Sequence, residues 1–534
     1  MYVRTSLDSD SDISQLLCDP VFQIDLLKIV ESMATAFSDS KQLLGTIEHS
    51  CKQLVTAHSK LIGIARIPDE LLCDIFDYLE PADLVVVGAV CKRLRTLSKK
   101  LVSVWCNINN RMHTSVIQRC IERSQGQGLT IIIMPSDSLQ IILFLTSILP
   151  SCNRWKTLLI NLQWEIPEPN DLHDLNHFAY KTMCSMLRSL DLPMLEAFIM
   201  ELPFLLSEMD GTNLAEGDDY NIGFLSTWTS PNLRRVTLVN VTPSSMALQG
   251  CTLESLDYQI CGSRNNKSEI LFNVYPHLEF LGNPIVSSLK YICLNITDIC
   301  VLPSSLDFAG LPQIIIPNVE VFVFVFRSGR TFRDEPDYLG SYMEFQVENV
   351  PVILQRLRMP KLVKYQLGTS IFSSCTVSNE PTRITNPVPL EVTKGWFPDC
   401  QQHPSLQTTL IFFWAQQSWI ADLAEPEKSM VWHFGISTVC NTETYELDTY
   451  SNVLFVDDGF RNAQMPTRLK TLILRECVNM EQDGLLSMLS LLKEMGAFET
   501  LEKLEIIRCP HWPSEDVKAL IPSTCVLIID STII

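Results

Sequence analysis

Residues 231–238 read PNLRRVTL. Pro231 and Asn232 lead into Leu233. Two residues separate Leu233 from Val236, and one separates Val236 from Leu238. The spacing predicts a turn followed by a short strand. In a strand successive side chains point to opposite faces, so Val236 and Leu238 share one face while Arg235 and Thr237 share the other. Leu233, at the turn, points the same way as the apolar pair.

One such octet is common by chance, but this one recurs. Degenerate copies stand at Pro193–Phe198 (around Leu195), Thr252–Tyr258 (Leu253, Leu256), Pro276–Leu281 (Leu278), Ser288–Leu294 (Leu289, Ile292) and Pro317–Phe324 (Val319, Phe322). Further copies are Pro360–Leu367 (Leu362, Tyr365), Arg468–Leu474 (Leu469, Leu472) and Leu501–Ile506 (Leu504). The repeated L-x-x-L-x-L resembles an irregular leucine-rich repeat. The resemblance implies an α/β solenoid over 111–534, with stacked parallel strands on its concave side and helices or loops outside. The repeat class prefers roughly 20–29 residues per turn. Here Leu278 and Leu289 are too close and Leu362 and Leu469 too far apart, so long insertions are expected between some turns. Candidates are Ser207–Tyr220, Arg327–Tyr342, Ser373–Pro404 and Ala424–Leu447, read as surface loops. Val526–Ile529 is the expected closing strand.

Upstream, helix and strand alternate more plainly. Thr114–Ser124 is an amphipathic helix, Gln125–Gly128 a turn and Leu129–Met134 a β-branched strand. Leu139–Leu149 is the next helix and Trp155–Leu162 the next strand.

Before them, residues 67–108 read IPDELLCDIFDYLEPADLVVVGAVCKRLRTLSKKLVSVWCNI. Pro68 suits the first turn of a helix, where a missing N–H costs nothing. Asp69 and Glu70 follow at the end of the helix that favours negative charge. Leu71, Leu72, Ile75, Phe76 and Leu79 then recur at helical spacing. Pro81 opens a second helix in the same way. Along it Leu84, Val87, Val90, Cys91, Leu94, Leu97 and Leu101 keep three- and four-residue steps. The cations Lys92, Arg93, Arg95, Lys99 and Lys100 read as a solvated helix face.

This stretch resembles an F-box, in the F-box-like form found in fungal proteins. The family pattern is met by Pro68, Leu71, Leu72, Ile75, Phe76, Leu79, Pro81, Asp83, Leu84, Val90, Cys91, Lys92 and Trp105. The chain departs at Ile67, where Leu is usual, and at Leu94, where an aromatic is usual. Arg154-Trp155 further resembles a step that follows the F-box in fungal members. The resemblance implies a domain at 64–110 that docks on a Skp-family adaptor. The expected adaptor-binding residues are Pro68, Leu71, Leu72, Ile75, Leu79, Leu84, Val87, Val90, Cys91, Leu94 and Trp105. It further implies the substrate-recognition subunit of an SCF-type, cullin-based ubiquitin ligase, with the repeats holding a target protein. The alternative is a non-catalytic interaction scaffold with a degenerate F-box.

At the N-terminus, residues 1–18 are Ser- and Asp-rich and expected to be disordered. Residues 19–63 are expected to be helical. Leu44, Ile47, Cys51, Leu54, His58 and Leu61 form a short heptad seam, compatible with a coiled coil but better read as packing on the same chain.

The net charge of −20 argues against a nucleic-acid or anionic-membrane surface. The 18 cysteines are scattered without a C-x-x-C pair and many lie in apolar runs, so they read as reduced and the chain as intracellular. MYVRTSLDSDSD has no apolar leader core. Leu139–Leu149 is too short for a membrane span, and Leu311–Phe326 is broken by prolines, Asn318 and Glu320. No phosphate loop, nucleophile elbow or zinc-protease motif is present, so neither an enzyme nor a cofactor is expected. His173, His177 and Asp174 have the spacing of one helix face but lack a third metal ligand, and read as ordinary polar residues. Arg327, Arg330 and Arg333 are the nearest candidates for a phosphate-receiving cluster.

Overall fold

The computed structural model describes residues 67–134, 138–162, 182–202, 223–241, 251–261, 280–297, 313–328, 354–371, 390–398, 402–413, 431–449, 452–458, 467–477, 480, 482–509 and 514–530. The chain forms two units, Met1–Val104 and Trp105–Ile534. The N-terminal segment 1–63, the loop Ser207–Tyr220, the pair His173 and His177, and Arg330 and Arg333 lie outside the described residues.

In the first unit three helices are described: α1 (Asp69–Phe76), α2 (Pro81–Val90) and α3 (Lys92–Lys100). The second unit alternates helices and strands. Its strands are β1 (Asn107–Asn109), β2 (Leu129–Ile133), β3 (Trp155–Asn161), β4 (Ala197–Glu201), β5 (Arg235–Val239), β6 (Ser255–Cys261), β7 (Tyr291–Thr297), β8 (Ile314–Ile315) and β9 (Val321–Ser328). They continue as β10 (Leu357–Arg358), β11 (Lys364–Ile371), β12 (Thr408–Phe413), β13 (Val431–Gly435), β14 (Thr444–Thr449), β15 (Asn452–Val456), β16 (Thr471–Arg475), β17 (Lys503–Ile507) and β18 (Val526–Asp530). The helices are α4 (Thr114–Arg123), α5 (Ser138–Ile148), α6 (Leu390–Lys394), α7 (Ile436–Cys440), α8 (Gln482–Glu494) and α9 (Ser514–Leu520).

Fourteen of these strands form one sheet in strict chain order, β1 to β7, then β9, β11, β12, β14, β16, β17 and β18. Every neighbouring pair is parallel, as is each of the small side pairs β8–β10 and β13–β15. Parallel neighbours need a crossover between them, and the described helices and side pairs lie within such crossovers.

The ladder register explains the motif. Its middle position runs unbroken from Leu158 through Phe198, Val236, Leu256, Ile292, Phe322 and Tyr365. Two residues on, Ile160, Met200, Leu238, Tyr258, Leu294, Phe324 and Leu367 form a second row on the same face. The leading leucines of the turns, such as Leu195, Leu233, Leu253 and Leu362, are buried beneath them. Each turn repeats one bond pattern. The Glu196 carbonyl accepts from the amides of Arg234 and Arg235, the Arg234 carbonyl from Glu254 and Ser255, and the Glu254 carbonyl from Lys290 and Tyr291. The same residues form a row of alternating charge, with Lys156–Glu196 at 3.5 Å, Arg234–Glu254 at 3.8 Å and Lys290–Glu254 at 3.7 Å. These pairs are exposed, so each contributes at most about 1 kcal/mol.

The expectations from the sequence need three corrections. The copy at Pro276–Leu281 makes no strand where it is described, because Phe280 and Leu281 sit in a helical turn. Two strands escaped the motif. β12 follows Leu406 with Thr409 in the middle position, and β14 follows Thr442 with Tyr445 in the middle position. A threonine in a leucine's place hides the pattern from sequence but keeps the register. Finally, Ser373–Pro404 and Ala424–Leu447 are not plain surface loops. They hold α6, β13 and α7, and they send Trp396 and Phe434 fully into the core. Trp396 packs edge-on against Phe326 at 5.2 Å, and its carbonyl accepts a hydrogen bond from the Tyr365 hydroxyl.

The opposite face of the sheet is polar toward its C-terminal end. There Arg475 donates to Glu446 at 2.6 Å and Arg508 to Glu476 at 2.6 Å. Half-buried Asp448 is desolvated and lies near Glu476 and Glu446, which together push its carboxyl up to about 6, against the opposing pull of Arg475 and Arg508. An unfolded aspartate ionises near 3.8. The folded state therefore disfavours the charged form, and this penalty is absent below the unfolded value and complete once pH has risen through about 6. Asp448→Asn is expected to raise stability at pH 8 by about 1 kcal/mol, after allowance for solvent screening, and to have little effect at pH 3.5. Urea denaturation of both chains at the two pH values checks this.

Candidate functional site

The three helices of the first unit pack by their buried faces. α1 contributes Leu72 and Phe76, α2 contributes Pro81, Leu84 and Gly88, and α3 contributes Leu94, Leu97 and Ser98. Pro68 stands just ahead of α1 as its N-cap, and its carbonyl accepts the Leu72 amide. Pro81 is the first residue of α2, the position that loses no hydrogen bond. The second helix does not run on to Leu101, as the unbroken spacing suggests. Cys91 is fully extended (φ −155°, ψ 166°), ends α2, and caps α3 with its sulfur, which accepts the Leu94 amide at 3.5 Å.

Two of the five cations are tied into this fold rather than only solvated. Arg93 donates to Asp69 at 2.9 and 2.5 Å and to the Ile67 carbonyl at 2.6 Å, fastening α3 to the start of α1. Arg95 donates to the Gly88 carbonyl at 2.8 Å near the C-terminus of α2, where a cation also suits the helix dipole. At Gly88 the helices approach closely, and a Cβ there would lie 3.1 Å from the Ser98 hydroxyl. Gly88→Leu is expected to force α2 and α3 apart at a cost of about 1–3 kcal/mol. Hydrogen exchange should show lost amide protection in α2 and α3, with Gly88→Ala far milder.

The expected docking residues divide into two sets. Leu72, Leu84 and Leu94 are buried and hold the helices together, so they offer no contact surface. Trp105 is also fully buried. It belongs to the second unit, where the Arg123 guanidinium lies 4.4 Å above its ring. Leu79 and Val87 are half-buried, while Pro68 and Cys91 are exposed. Large apolar side chains face solvent at Leu71 (53%), Ile75 (50%), Tyr78 (91%), Val86 (66%) and Val90 (66%). On α1 Leu71 and Ile75 form one stripe, which Tyr78 extends from the turn just after the helix. On α2, 86 and 90 form another.

Tyr78 and Val86 were not singled out by sequence. For Val86 the signal was present, because apolar residues are spread around α2 rather than gathered on one face, the mark of a helix buried on more than one face. Three short helices cannot cover all of that surface themselves. The departures Ile67 and Leu94 do not lie on these stripes, since Ile67 is half-buried beside Arg93 and Leu94 is interior. Burial and the carboxylates of Asp69, Asp77, Asp74 and Glu70 push the Cys73 thiol up, which favours its neutral form.

Among the described residues no cluster of His, Cys, Asp or Glu has the makings of a metal site, and no helix is long and apolar enough to cross a membrane. No curated protein matches this chain. Residues 64–111 match the model of the F-box-like family, and over those residues the chain carries an F-box-like domain.

Proposed function

We propose that this protein is the substrate-recognition subunit of an SCF-type ubiquitin ligase. F-box domains generally bind Skp-family adaptors, and the observation that carries the reading is the pair of solvent-facing apolar stripes on α1 and α2 within the F-box-like match. Docking on the adaptor would cover Leu71, Ile75, Tyr78, Val86 and Val90. Fully burying an aliphatic side chain is worth about 1.5–3 kcal/mol, so a few suffice for a tight complex. The chain would contribute no chemistry of its own. It would hold a target near the charged conjugating enzyme and raise its effective concentration.

In this reading the second unit is a leucine-rich-repeat-like solenoid with long insertions that binds the target. Chain-ordered parallel strands and two continuous apolar rows support it. So does the repeat pattern's Asn or Cys three residues past the last leucine. Cys477 and Cys509 hold that place, and their buried thiols point back to the carbonyls of Leu447 and Leu474. Co-purification of the chain with a Skp-family adaptor and a cullin tests the proposal. A folded chain that captures neither would leave the interaction scaffold as the function.

A further inference from the structure

The apolar stripes of the first unit are bordered by one sign of charge. From Pro68 to Cys91 the chain carries six carboxylates, Asp69, Glu70, Asp74, Asp77, Glu80 and Asp83, and no Lys or Arg. Two of them are engaged within the unit. Asp69 pairs with Arg93, and Asp77 accepts from the Ser103 hydroxyl at 3.0 Å. Glu70, Asp74, Glu80 and Asp83 are exposed and form no ion pair among the described residues. Leu71, Ile75, Tyr78, Val86 and Val90 thus make an apolar surface with an anionic rim. The occupant that fits it has an apolar face with cations beside it.

The chain just upstream has both, and it belongs to the same unit. Lys41, Lys52, Lys60 and Arg66 stand there against the single carboxylate Glu48, whereas residues 1–40 carry seven carboxylates against Arg4 and Lys28. In a chain of net charge −20, the cations gather where the seam Leu44, Ile47, Cys51, Leu54, His58 and Leu61 runs. At the helical rise that seam is about 27 Å long, against about 15 Å for the ten residues of α2, so it is long enough to cross both stripes. Leu61 and Ile67 are six residues apart, a reach of about 20 Å, and Gly63 between them suits a reversal of direction. A segment tethered so closely meets the stripes at an effective concentration on the order of millimolar, which favours it over a second copy.

We infer that residues 41–63 fold back over α1 and α2, seating the seam on the two stripes and its lysines against the rim, so that an adaptor reaches the stripes only by displacing them. The competition rests on the function proposed above, but the cover itself does not. The helices are complete without it, since Leu72, Phe76, Leu84, Leu94 and Leu97 already form their core.

Hydroxyl-radical footprinting of the full chain, read at Leu71, Ile75 and Tyr78, tests the cover. Ile47→Asp with Leu54→Asp removes the apolar face of the seam, and Lys52→Glu with Lys60→Glu reverses its charge. A cover closed most of the time hides the stripes by the open fraction, so labelling should rise about threefold or more in the first variant and by less in the second. Buried Leu84 should stay unlabelled throughout, which shows that the helices remain folded. Equal labelling of the native chain and both variants overturns the inference, and the charge variant decides the matter even where the first fails to fold. Labelling that falls as native and variant chains alike are concentrated assigns the surface to a second copy and overturns it too. Titration with a Skp-family adaptor separates the cover from the ligase reading. The first variant should bind about threefold tighter than the native chain or more. Raised labelling with unchanged affinity overturns the competition, whereas raised labelling with no adaptor capture by either chain keeps the cover and removes the ligase reading.

Discussion

Ile75→Asp is expected to abolish adaptor capture while the chain stays folded. Ile75 is half exposed in the isolated protein, so a carboxylate there meets water and should change folding stability by no more than about 0.5 kcal/mol. In the docked state the same position would be covered. The complex would then lose the transfer energy of a buried isoleucine, about 1.5–3 kcal/mol, and would also have to desolvate a charge with no partner. The sum is a loss of at least about 100-fold in affinity. Surface-bound adaptor titrated with the native and variant chains measures it. Leu84→Asp is the necessary contrast. Leu84 is fully buried between the helices, so that substitution should unfold the unit and remove binding for a different reason, visible as lost helical signal. Undiminished capture by a folded Ile75→Asp chain would remove α1 from the docking surface.

Phe324→Ala should be the most damaging of the simple truncations in the sheet. Phe324 is fully buried, its ring lies 6.4 Å from Phe322 and 5.9 Å from Phe326, and it stands in the second apolar row between Leu294 and Leu367. Removing it leaves a cavity that rigid strands on both sides cannot close, and costs of about 3–5 kcal/mol follow. That is a large part of a typical domain's 5–15 kcal/mol. Ile528→Ala, on the exposed edge strand β18, should cost less than about 1 kcal/mol, because its side chain already meets water. Chemical denaturation with matched slopes separates the two. Equal costs at the two positions would mean that the rows do not form the core described above.

Much of this protein is legible in its sequence, for reasons that are local. L-x-x-L-x-L predicts a strand because a period of two cannot be read as a helix, and strands β4 to β7, β9, β11, β16 and β17 all lie where a copy stands. The helix-to-strand steps from Thr114 to Asn161 were equally clear, each helix amphipathic or apolar and each strand β-branched. The helices of the first unit announce themselves through Pro68, Pro81 and three- and four-residue apolar spacing.

Only the tertiary structure settled which side of those helices is inside. Leu71 and Leu72 are neighbours of one residue type, yet one faces solvent and the other the core, because packing of α3 against α1 and α2 selects a face that spacing alone leaves open. It likewise placed Trp105 in the second unit, under Arg123, and broke the helix at Cys91. Thr409 and Thr442 could not be read as repeat positions, since their burial depends on strands distant in sequence. The sequence by itself determined the elements and the row of leucines that stacks them, because periodicity is written into neighbouring residues. The exposed apolar stripes were decided by tertiary structure, since they depend on which faces the packing leaves uncovered.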